Sequence, residues 1–513
     1  MKRIVGFLAL FVMLLTAKPA AAASSQLLVQ SNLGRPAMSL VCLLRGCQVV
    51  SFEQGSPSNY FVLSTSSNTD FLASVLRGIP GILNVQVLGG SSNPVGSRYI
   101  VRTKGGLLNL NLLCLLNLCK ILAPLDGVTN QLFLLGGSNQ QDPNLLLAIL
   151  RAVPGVLSAE LDQVASIATG EAQATVPPPS LIDNTPTSYY GSTVWSGYVN
   201  QPAMQIINLP KTQQSYATTG SGIVIADIDT GVDPNHPVLR PVLLQGYDFT
   251  RNQVGGSEMN DLPSGTPVKE SACVNCNPGK VNQHSVAMVD QHSVAMVDGP
   301  QYEAFGHGTM VAGVLHLIAP KASIMPLKAF SADGTAALSD ILRAIYYAEQ
   351  NGVDVVNMSF DLPDYSSELV NAINAGQKKG VLFAASAGND GKMTTVYPAG
   401  LIGMMGVAST NNQDQRSTFS NYGNQIVWVA APGEAIVTTY PFGTYAATWG
   451  TSFSAPMVSG GAALLLNIQP SLTQFQAASD MAQGQLLLAA GMGNGRIDLY
   501  RAVRAAKLAS GKP

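Results

Sequence analysis

The chain has 513 residues, of which 11% are charged, with 28 Lys and Arg against 30 Asp and Glu and a formal net charge of −2. That length holds two or three domains with their own cores, and a charge content well under the ~25% of an average domain argues against nucleic acid as a partner and against a charge-driven disordered chain. Ser, Thr, Asn, Gln and Gly make up the difference, a surface suited to an exported protein.

Met1 to Ala23 opens with Lys2 and Arg3, runs apolar from Ile4 to Leu15 and ends in four alanines, Ala20 to Ala23. This predicts a secretory signal over residues 1–23 and a mature protein in the extracellular space or periplasm. The apolar run is shorter than a bilayer span, and no later stretch offers about 20 uninterrupted apolar residues, so no stable membrane anchor is expected.

Residues 24–165 carry an internal repeat. Cys42-Leu43-Leu44-Arg45-Gly46-Cys47 returns as Cys114-Leu115-Leu116-Asn117-Leu118-Cys119, and Leu76-Arg77-Gly78-Ile79-Pro80-Gly81 returns as Leu150-Arg151-Ala152-Val153-Pro154-Gly155. Each copy reads as a strand (Tyr60 to Ser64; Gln131 to Leu135), a short helix ended near the Pro-Gly pair, and another strand. Two such halves predict one small α+β sandwich of ferredoxin-like arrangement. The leucine-rich run Leu107 to Leu118 is broken by Asn109, Asn111 and Asn117, which favours a buried edge over a membrane segment. After Leu161 the composition turns to Ala, Thr, Pro and Ser, and residues 166–194 read as a linker open to nicking. The cysteines fall in close pairs, Cys42 with Cys47, Cys114 with Cys119 and Cys273 with Cys276, which favours local disulfides in an exported chain. For the last pair, His284 and His292 leave metal binding open, although their spacing does not fit a finger-type zinc site.

From Ile223 the pattern becomes an α/β alternation. The strand Ile223 to Ile228 runs into Asp229-Thr230-Gly231, and an acid at the carboxyl end of an apolar strand lies where open α/β sheets put their sites. Asp229 is the candidate, with Asp227 and Asp233 as competitors and an ordinary turn as the bland alternative. Next comes Gly306-His307-Gly308-Thr309, where glycines let an imidazole be approached closely ahead of a helical run. Ile324 to Phe330, Val353 to Met358 and Val381 to Ser386 read as buried strands, and Leu338, Ile341, Leu342 and Ile345 as one helix face. The last strand delivers Ala387-Gly388-Asn389, whose amide can donate to an oxyanion without adding a charge. Gly450-Thr451-Ser452-Phe453-Ser454-Ala455-Pro456 then places Ser452 where a loop turns into a small-residue helix. There a serine is either an N-cap or a nucleophile favoured by oriented N–H groups.

Together, and in this order, Asp229, His307, Asn389 and Ser452 with their flanking residues resemble the subtilisin-like serine peptidases, whose triad runs Asp, His, Ser along the chain. The resemblance covers about Trp195 to Ala506. It implies a doubly wound, mostly parallel α/β sheet over residues 195–507. It further implies Ser452 as nucleophile, His307 as general base and then acid, Asp229 as the group that orients the imidazolium, and Asn389 as oxyanion donor. The protein would be a secreted serine endopeptidase acting on polypeptides through an acyl-enzyme. It would be made as a precursor inhibited by its own propeptide, residues 24–165, with Val153 to Asp162 as the tail that enters the cleft and cleavage between Ala165 and Thr193. No cofactor is expected for the chemistry. Calcium stabilises loops in this family, but no all-oxygen loop here is specific enough to name ligands. Nothing demands more than a monomer.

The chain departs from the family at Met310, where a histidine is common, and at Ser359-Phe360-Asp361, where a glycine follows the Ser-Leu pair. That segment lines the primary specificity pocket in the family, so Ser359, Phe360 and Asp361, with Glu303 near His307, are the candidate substrate-binding residues. Asp361 and Glu303 suggest a basic residue near the cut; the alternative is that both acids face solvent. Gln283 to Asp290 is repeated letter for letter as Gln291 to Asp298, a duplication suited to a surface loop. The competing class is a catalytically silent binding or scaffold protein of the same fold, against which all four chemical positions are intact. An esterase of the α/β-hydrolase type would place its serine before the acid and histidine.

Overall fold

The computed structural model describes residues 25–53, 59–65, 72, 76, 79, 82–88, 97–104, 119–127, 131–137, 142–167, 178–262 and 300–510. The expected signal, the leucine-rich run Leu107 to Leu118 with Cys114, Cys273, Cys276, His284, His292, the duplicated octapeptide and part of the expected cleavage region lie outside the described residues. The chain divides into two compact units, one of Met1–Tyr99, Leu108–Pro124 and Phe133–Ile149, the other of Ile100–Leu107, Leu125–Leu132 and Leu150–Pro513.

In the first unit, β1 (Ser25–Ser31), α1 (Arg35–Arg45), β2 (Cys47–Glu53), β3 (Asn59–Thr65) and β4 (Ile82–Leu88) form a sheet of order β2-β3-β1-β4. Strand β1 runs antiparallel to both neighbours, with Val29 opposite Phe61 on one side and Val85 on the other. Every second residue of β1 and β3 faces the core, so Leu27, Val29, Phe61 and Leu63 pack with Met38 and Cys42 of α1. A Cys42–Cys47 disulfide joins α1 to β2, as the close pair predicts.

This strand order, β2-β3-β1-β4, is that of a ferredoxin-like sheet, built from one copy of the repeat. The second copy gives β5 (Arg98–Thr103), β6 (Cys119–Pro124), β7 (Leu132–Gly137), α2 (Pro143–Ala152) and β8 (Val156–Leu161), with order β6-β7-β5-β8. The expectation of one sandwich made from two halves is thereby corrected to one four-stranded sheet per copy. Two strands alone leave a helix face uncovered, whereas four strands give it a surface to pack on. After β8 the chain adds a short strand, β9 (Val164–Ser166).

The linker expected over 166–194 is also corrected. Residues 179–182 are helical, and β10 (Pro186–Tyr189) pairs with β11 (Ser192–Trp195) as an antiparallel hairpin. Leu181, Tyr189 and Val194 are buried in the core of the second unit, and Tyr189 donates its hydroxyl to the Leu317 carbonyl at 2.5 Å. Three apolar anchors outweigh a polar average composition, so residues 181–194 belong to the core of the second unit.

The second unit is built on an eight-stranded sheet. Its strands are β12 (Val224–Asp229), β13 (Tyr247–Asp248), β14 (Gln253–Val254) and β15 (Ser323–Lys328), then, beyond the separate short strand β16 (Thr335–Ala337), β17 (Val355–Met358), β18 (Leu382–Ser386), β19 (Met405–Thr410) and β20 (Val429–Pro432). Their order is β14-β13-β15-β12-β17-β18-β19-β20; only the edge pair β13 and β14 is antiparallel. Helices α3 (His307–Ile318), α4 (Leu338–Gln350), α5 (Ser367–Lys378) and α6 (Thr451–Ile468) cover it. The connection from β12 through α3 to β15 moves one way across the sheet and that from β15 through α4 to β17 moves back. Right-handed crossovers then put α3 and α4 on opposite faces, which is the doubly wound architecture expected. The reversal opens a crevice at the carboxyl end of β12, where Asp229 stands.

Helix α6 is buried at every position from Thr451 to Leu466, the mark of a helix enclosed by its own domain rather than lying on its surface. Leu464 is fully buried in this core. Leu464→Ala should cost about 2–5 kcal/mol of stability, as a cavity there has no solvent side to collapse from, and urea unfolding of the variant would measure it.

Candidate active site

The strand end of β12, the first turn of α3, the exit of β18 and the first turn of α6 meet at the crevice. Asp229, His307 and Ser452 are only 1%, 2% and 3% exposed, and Asn389 is 9% exposed. Both Asp229 carboxylate oxygens accept from His307 Nδ1, at 2.8 and 2.9 Å, and Thr230 N adds a 2.6 Å bond to Oδ1. A carboxylate only accepts, so Nδ1 carries a proton, and in the neutral ring the lone pair is on Nε2. Nε2 is buried and makes no hydrogen bond among the described residues. The approach depends on glycine: a Cβ on Gly308 would overlap the carbonyl oxygen of Gly231, in the turn that carries Asp229.

The competing acids are sorted by geometry. Asp227, two residues back on the same face of β12, is buried and accepts from Asn357 Nδ2 at 3.0 Å. Burial first and the charge of Asp229 second push its carboxyl well above the usual range. Asp233 caps backbone instead, accepting from Asn235 N and Phe442 N, each at 2.9 Å.

Ser452 is the second residue of α6, behind Gly450, whose φ of 151° favours a residue without a side chain. The Phe453 ring centroid lies 5.5 Å from that of His307, which brings the start of α6 beside the imidazole. Pro456 has no N–H, so the Ser452 carbonyl four residues earlier lacks its helical donor. Ser359 supplies the replacement, its hydroxyl donating to Ser452 O at 3.0 Å. Ser359 Oγ in turn accepts from Asn357 Nδ2 at 3.0 Å. The Ser452 hydroxyl donates to the Ser359 carbonyl at 3.4 Å. Asn389 is oriented by its carbonyl end: Oδ1 accepts from Thr451 N at 2.9 Å and Thr451 Oγ1 at 2.8 Å. The amide end therefore turns the other way, and Nδ2 lies 3.6 Å from the point a Cβ would take on Gly450.

The four expected substrate-binding residues separate. Ser359 is taken up by Ser452, and Phe360 turns inward onto Phe330 at 5.0 Å between ring centroids. Glu303 is half-buried on the turn before His307. Asp361 is buried rather than facing solvent, and its backbone pairs with Ser166: each N–H donates to the other's carbonyl, at 2.9 and 3.0 Å. Burial, helped by the charge of Asp390 and opposed by a hydrogen bond from Ser166, pushes the Asp361 carboxyl up to about 7.

The tail expected over Val153 to Asp162 is corrected: the strand that pairs here is Val164–Ser166, because Val156–Leu161 is taken up as β8 of the preceding sheet. Strand β9 lies antiparallel to β16, with Ala165 opposite Ala336, and Ile167 N donates to Gly334 O at 2.9 Å. Residues 164–167 thus form a strand between Gly334–Ala337 and Asp361, with Ala165 and Ile167 buried and Val164 and Ser166 outward. Upstream, two acids cap helices. Asp162 accepts from Ser339 N at 2.8 Å and Ser339 Oγ at 2.9 Å at the start of α4. Glu160 accepts from Ser367 N at 3.1 Å, Ser367 Oγ at 3.0 Å and Ser366 Oγ at 2.5 Å at the start of α5. Carboxylates at helix N-termini satisfy orphan N–H groups and face the positive end of the dipole. Alternating acids such as Glu160 and Asp162 carry no local motif, and only the helix ends they reach give them meaning.

No helix among the described residues is long and apolar enough to cross a membrane. Among the same residues, no group of three or more His, Cys, Asp or Glu side chains is arranged to hold a metal ion.

The subtilase family model, peptidase S8, matches residues 220–496. A thermophilic serine proteinase from Bacillus sp. strain AK1 is 33% identical over 287 residues, 55% of this chain and 62% of that protein. Thermitase from Thermoactinomyces vulgaris is 32% identical over 289 residues, 56% of this chain and 90% of thermitase. The match thus takes in under two thirds of the first relative's length and nearly all of the second's. Among solved structures, fervidolysin from Fervidobacterium pennivorans, described as a keratinolytic enzyme related to subtilisin, matches with a TM-score of 0.60 at 19% identity, over 81% of this chain and 62% of that one. At that identity the likeness is one of fold.

The Asp361 carboxyl titrates near 3.8 when unperturbed and near 7 here. A raised carboxyl contributes stability that is complete below its unfolded value and lost as pH rises through the folded one. Asp361→Asn should therefore flatten the fall in unfolding midpoint between about pH 4 and 7 relative to the parent protein, as read by thermal scans across that range.

Proposed function

Because the chain belongs to the subtilase family, peptidase S8, we propose that it is a serine-type endopeptidase, exported and made as a precursor that cuts itself. The observation that carries this reading is the imidazole of His307, tied through Nδ1 to Asp229 and left with a buried, unbonded Nε2 beside the start of α6.

In the proposed reaction Ser452 Oγ attacks the carbonyl carbon of a peptide bond while His307 Nε2 takes its proton. The oxyanion is met by Asn389 Nδ2 and by N–H groups at the start of α6. The C–N bond then breaks as the imidazolium returns its proton to the leaving amine, and the acyl group stays on Ser452. Water, deprotonated by Nε2, attacks that ester and releases the second product and the serine. Asp229 holds the ring and offsets its positive charge throughout. Every step is assigned to a side chain or backbone group of this chain.

Residues 160–167 support the precursor reading. They enter as a strand and carry two helix-capping acids, so main-chain pairing supplies affinity without a special side chain. As a polypeptide already paired beside Ser359, this segment is also the first substrate the site would meet. The expected cut lies beyond Ile167, within residues 168–177.

The Ser452 hydroxyl must leave the Ser359 carbonyl to meet Nε2. Its present bond is the one observation that favours a silent scaffold of the same fold, and the test separates the two readings. Purified precursor should split with time, giving a new amino terminus within residues 168–177, while Ser452→Ala stays intact by mass. A fluorophosphonate should label only the parent protein, at Ser452, and peptide turnover should fall on the order of 10⁶-fold in the variant. Equal cutting of both proteins, or no labelling of the parent, would leave the scaffold reading. Glu160→Ala with Asp162→Ala should weaken the hold of the cut segment by about 1 kcal/mol for each lost cap, seen as an earlier rise of activity after cleavage.

A further inference from the structure

A fourth acid binds together the backbone on both sides of the Asp229–His307 bond. Glu258 opens a short 3-10 turn, Glu258–Asp261, and its side chain is fully buried. One carboxyl oxygen accepts from Gly306 N at 2.8 Å and from Thr230 Oγ1 at 3.2 Å; the other accepts from the Thr309 hydroxyl. Thr230 follows Asp229 directly, Gly306 precedes His307 directly, and Thr309 lies two residues beyond it. Thr230 Oγ1 also accepts from Gly308 N at 3.0 Å, so strand end and helix start are joined through it as well.

The turn is itself pinned. Lys328, fully buried at the end of β15, donates to Asp261 Oδ2 at 2.7 Å, to the Thr230 carbonyl at 2.8 Å and to the Phe330 carbonyl at 2.7 Å. Arg251 reaches Asp261 Oδ1 at 2.6 Å from the other side. Glu258 is thus a fixed post rather than a mobile side chain.

We propose that Glu258 is a positioning residue for the peptidase reaction: through Thr230, Gly306 and Thr309 it sets the geometry in which Asp229 meets His307 and His307 offers Nε2 to Ser452. This rests on the function proposed above. A carboxyl suits the task because its two oxygens take three donors from two segments, Thr230 in the turn after β12 and Gly306 and Thr309 at the start of α3, whereas an amide has one accepting oxygen and an alanine none. Each donor left without an acceptor in a buried site shifts to find another partner, and the donors here flank the reacting groups. Small displacements of such groups are felt in the rate rather than in substrate binding.

The test compares the parent protein, Glu258→Gln and Glu258→Ala, each taken to complete processing. Thermal unfolding, kcat and KM on a peptide substrate, and the rate of fluorophosphonate labelling per labelled site are measured together. The expected result is a cooperative fold in both variants, kcat lowered about 10-fold by Gln and about 100-fold by Ala, KM within about twofold, and labelling slowed in the same order. A folded Glu258→Gln with the parent's kcat and labelling rate would overturn the proposal. So would a loss that appears in KM, or in the number of labelled sites and not in the rate at each. If Ala does not fold, Gln decides. If neither folds, Glu258 serves folding alone and the proposal fails. A parent protein that neither turns over peptide nor labels would instead sink the peptidase reading, and this inference with it.

Discussion

A carboxylate held out of water is costly unless donors surround it, and the same burial makes each donor it finds worth more. Asp229 sits in that condition at the end of β12, with His307 Nδ1 and Thr230 N as its donors. Much of the second unit serves to bring those donors within reach. A parallel strand delivers the acid to the crevice where the sheet order reverses, glycine lets α3 start against the turn, and Glu258 and Lys328 fix that turn from behind. The orientation of the imidazole follows, and with it which ring nitrogen is left without a hydrogen bond among the described residues.

The serine side is organised by a different constraint. Pro456 removes one helical N–H close to the start of α6, and the carbonyl it orphans belongs to Ser452. The Ser359 hydroxyl fills that place, and Asn357 links Ser359 to Asp227 below. The result is a chain of buried polar bonds running from α6 through β17 to β12. These side chains tie the position of the Ser452 backbone to the strand that carries the acid, so the two halves of the site cannot shift independently without breaking bonds inside the core.

Residues 160–167 show how one stretch can be recognised with little sequence information. Strand pairing uses backbone atoms, and the two caps need only a carboxylate at the right distance from a helix start. Ala165 and Ile167 go inward because alternate residues of any strand do. Asp361, the acid that the sequence leaves between pocket and solvent, is buried and has its backbone paired with Ser166 of the same strand. The composition after Leu161 reads as a linker because averages over Ala, Thr, Pro and Ser hide the few residues, Ile167, Leu181, Tyr189 and Val194, that anchor the chain.

The sequence by itself determined the chemistry on offer and the architecture that presents it. Asp229, His307, Asn389 and Ser452 stand in local patterns of glycine, small residues and apolar runs, and such patterns fix turn type and period within a few residues. The alternation of buried strands with helices likewise identified an α/β fold, and the resemblance to the subtilisin-like peptidases implied that its sheet is doubly wound. Tertiary structure decided everything that depends on which distant segments meet. The sequence favours Asp229 over Asp227 and Asp233 by its place at a strand end, and the placement of α3, 78 residues away, is what gives His307 to it. Glu258 and Lys328 carry no motif, because their work lies in donors and acceptors from other strands and turns. The repeat was legible as two copies, but whether each copy closes its own sheet is set by strand pairing, and pairing partners are chosen by long-range packing rather than by neighbours in the chain.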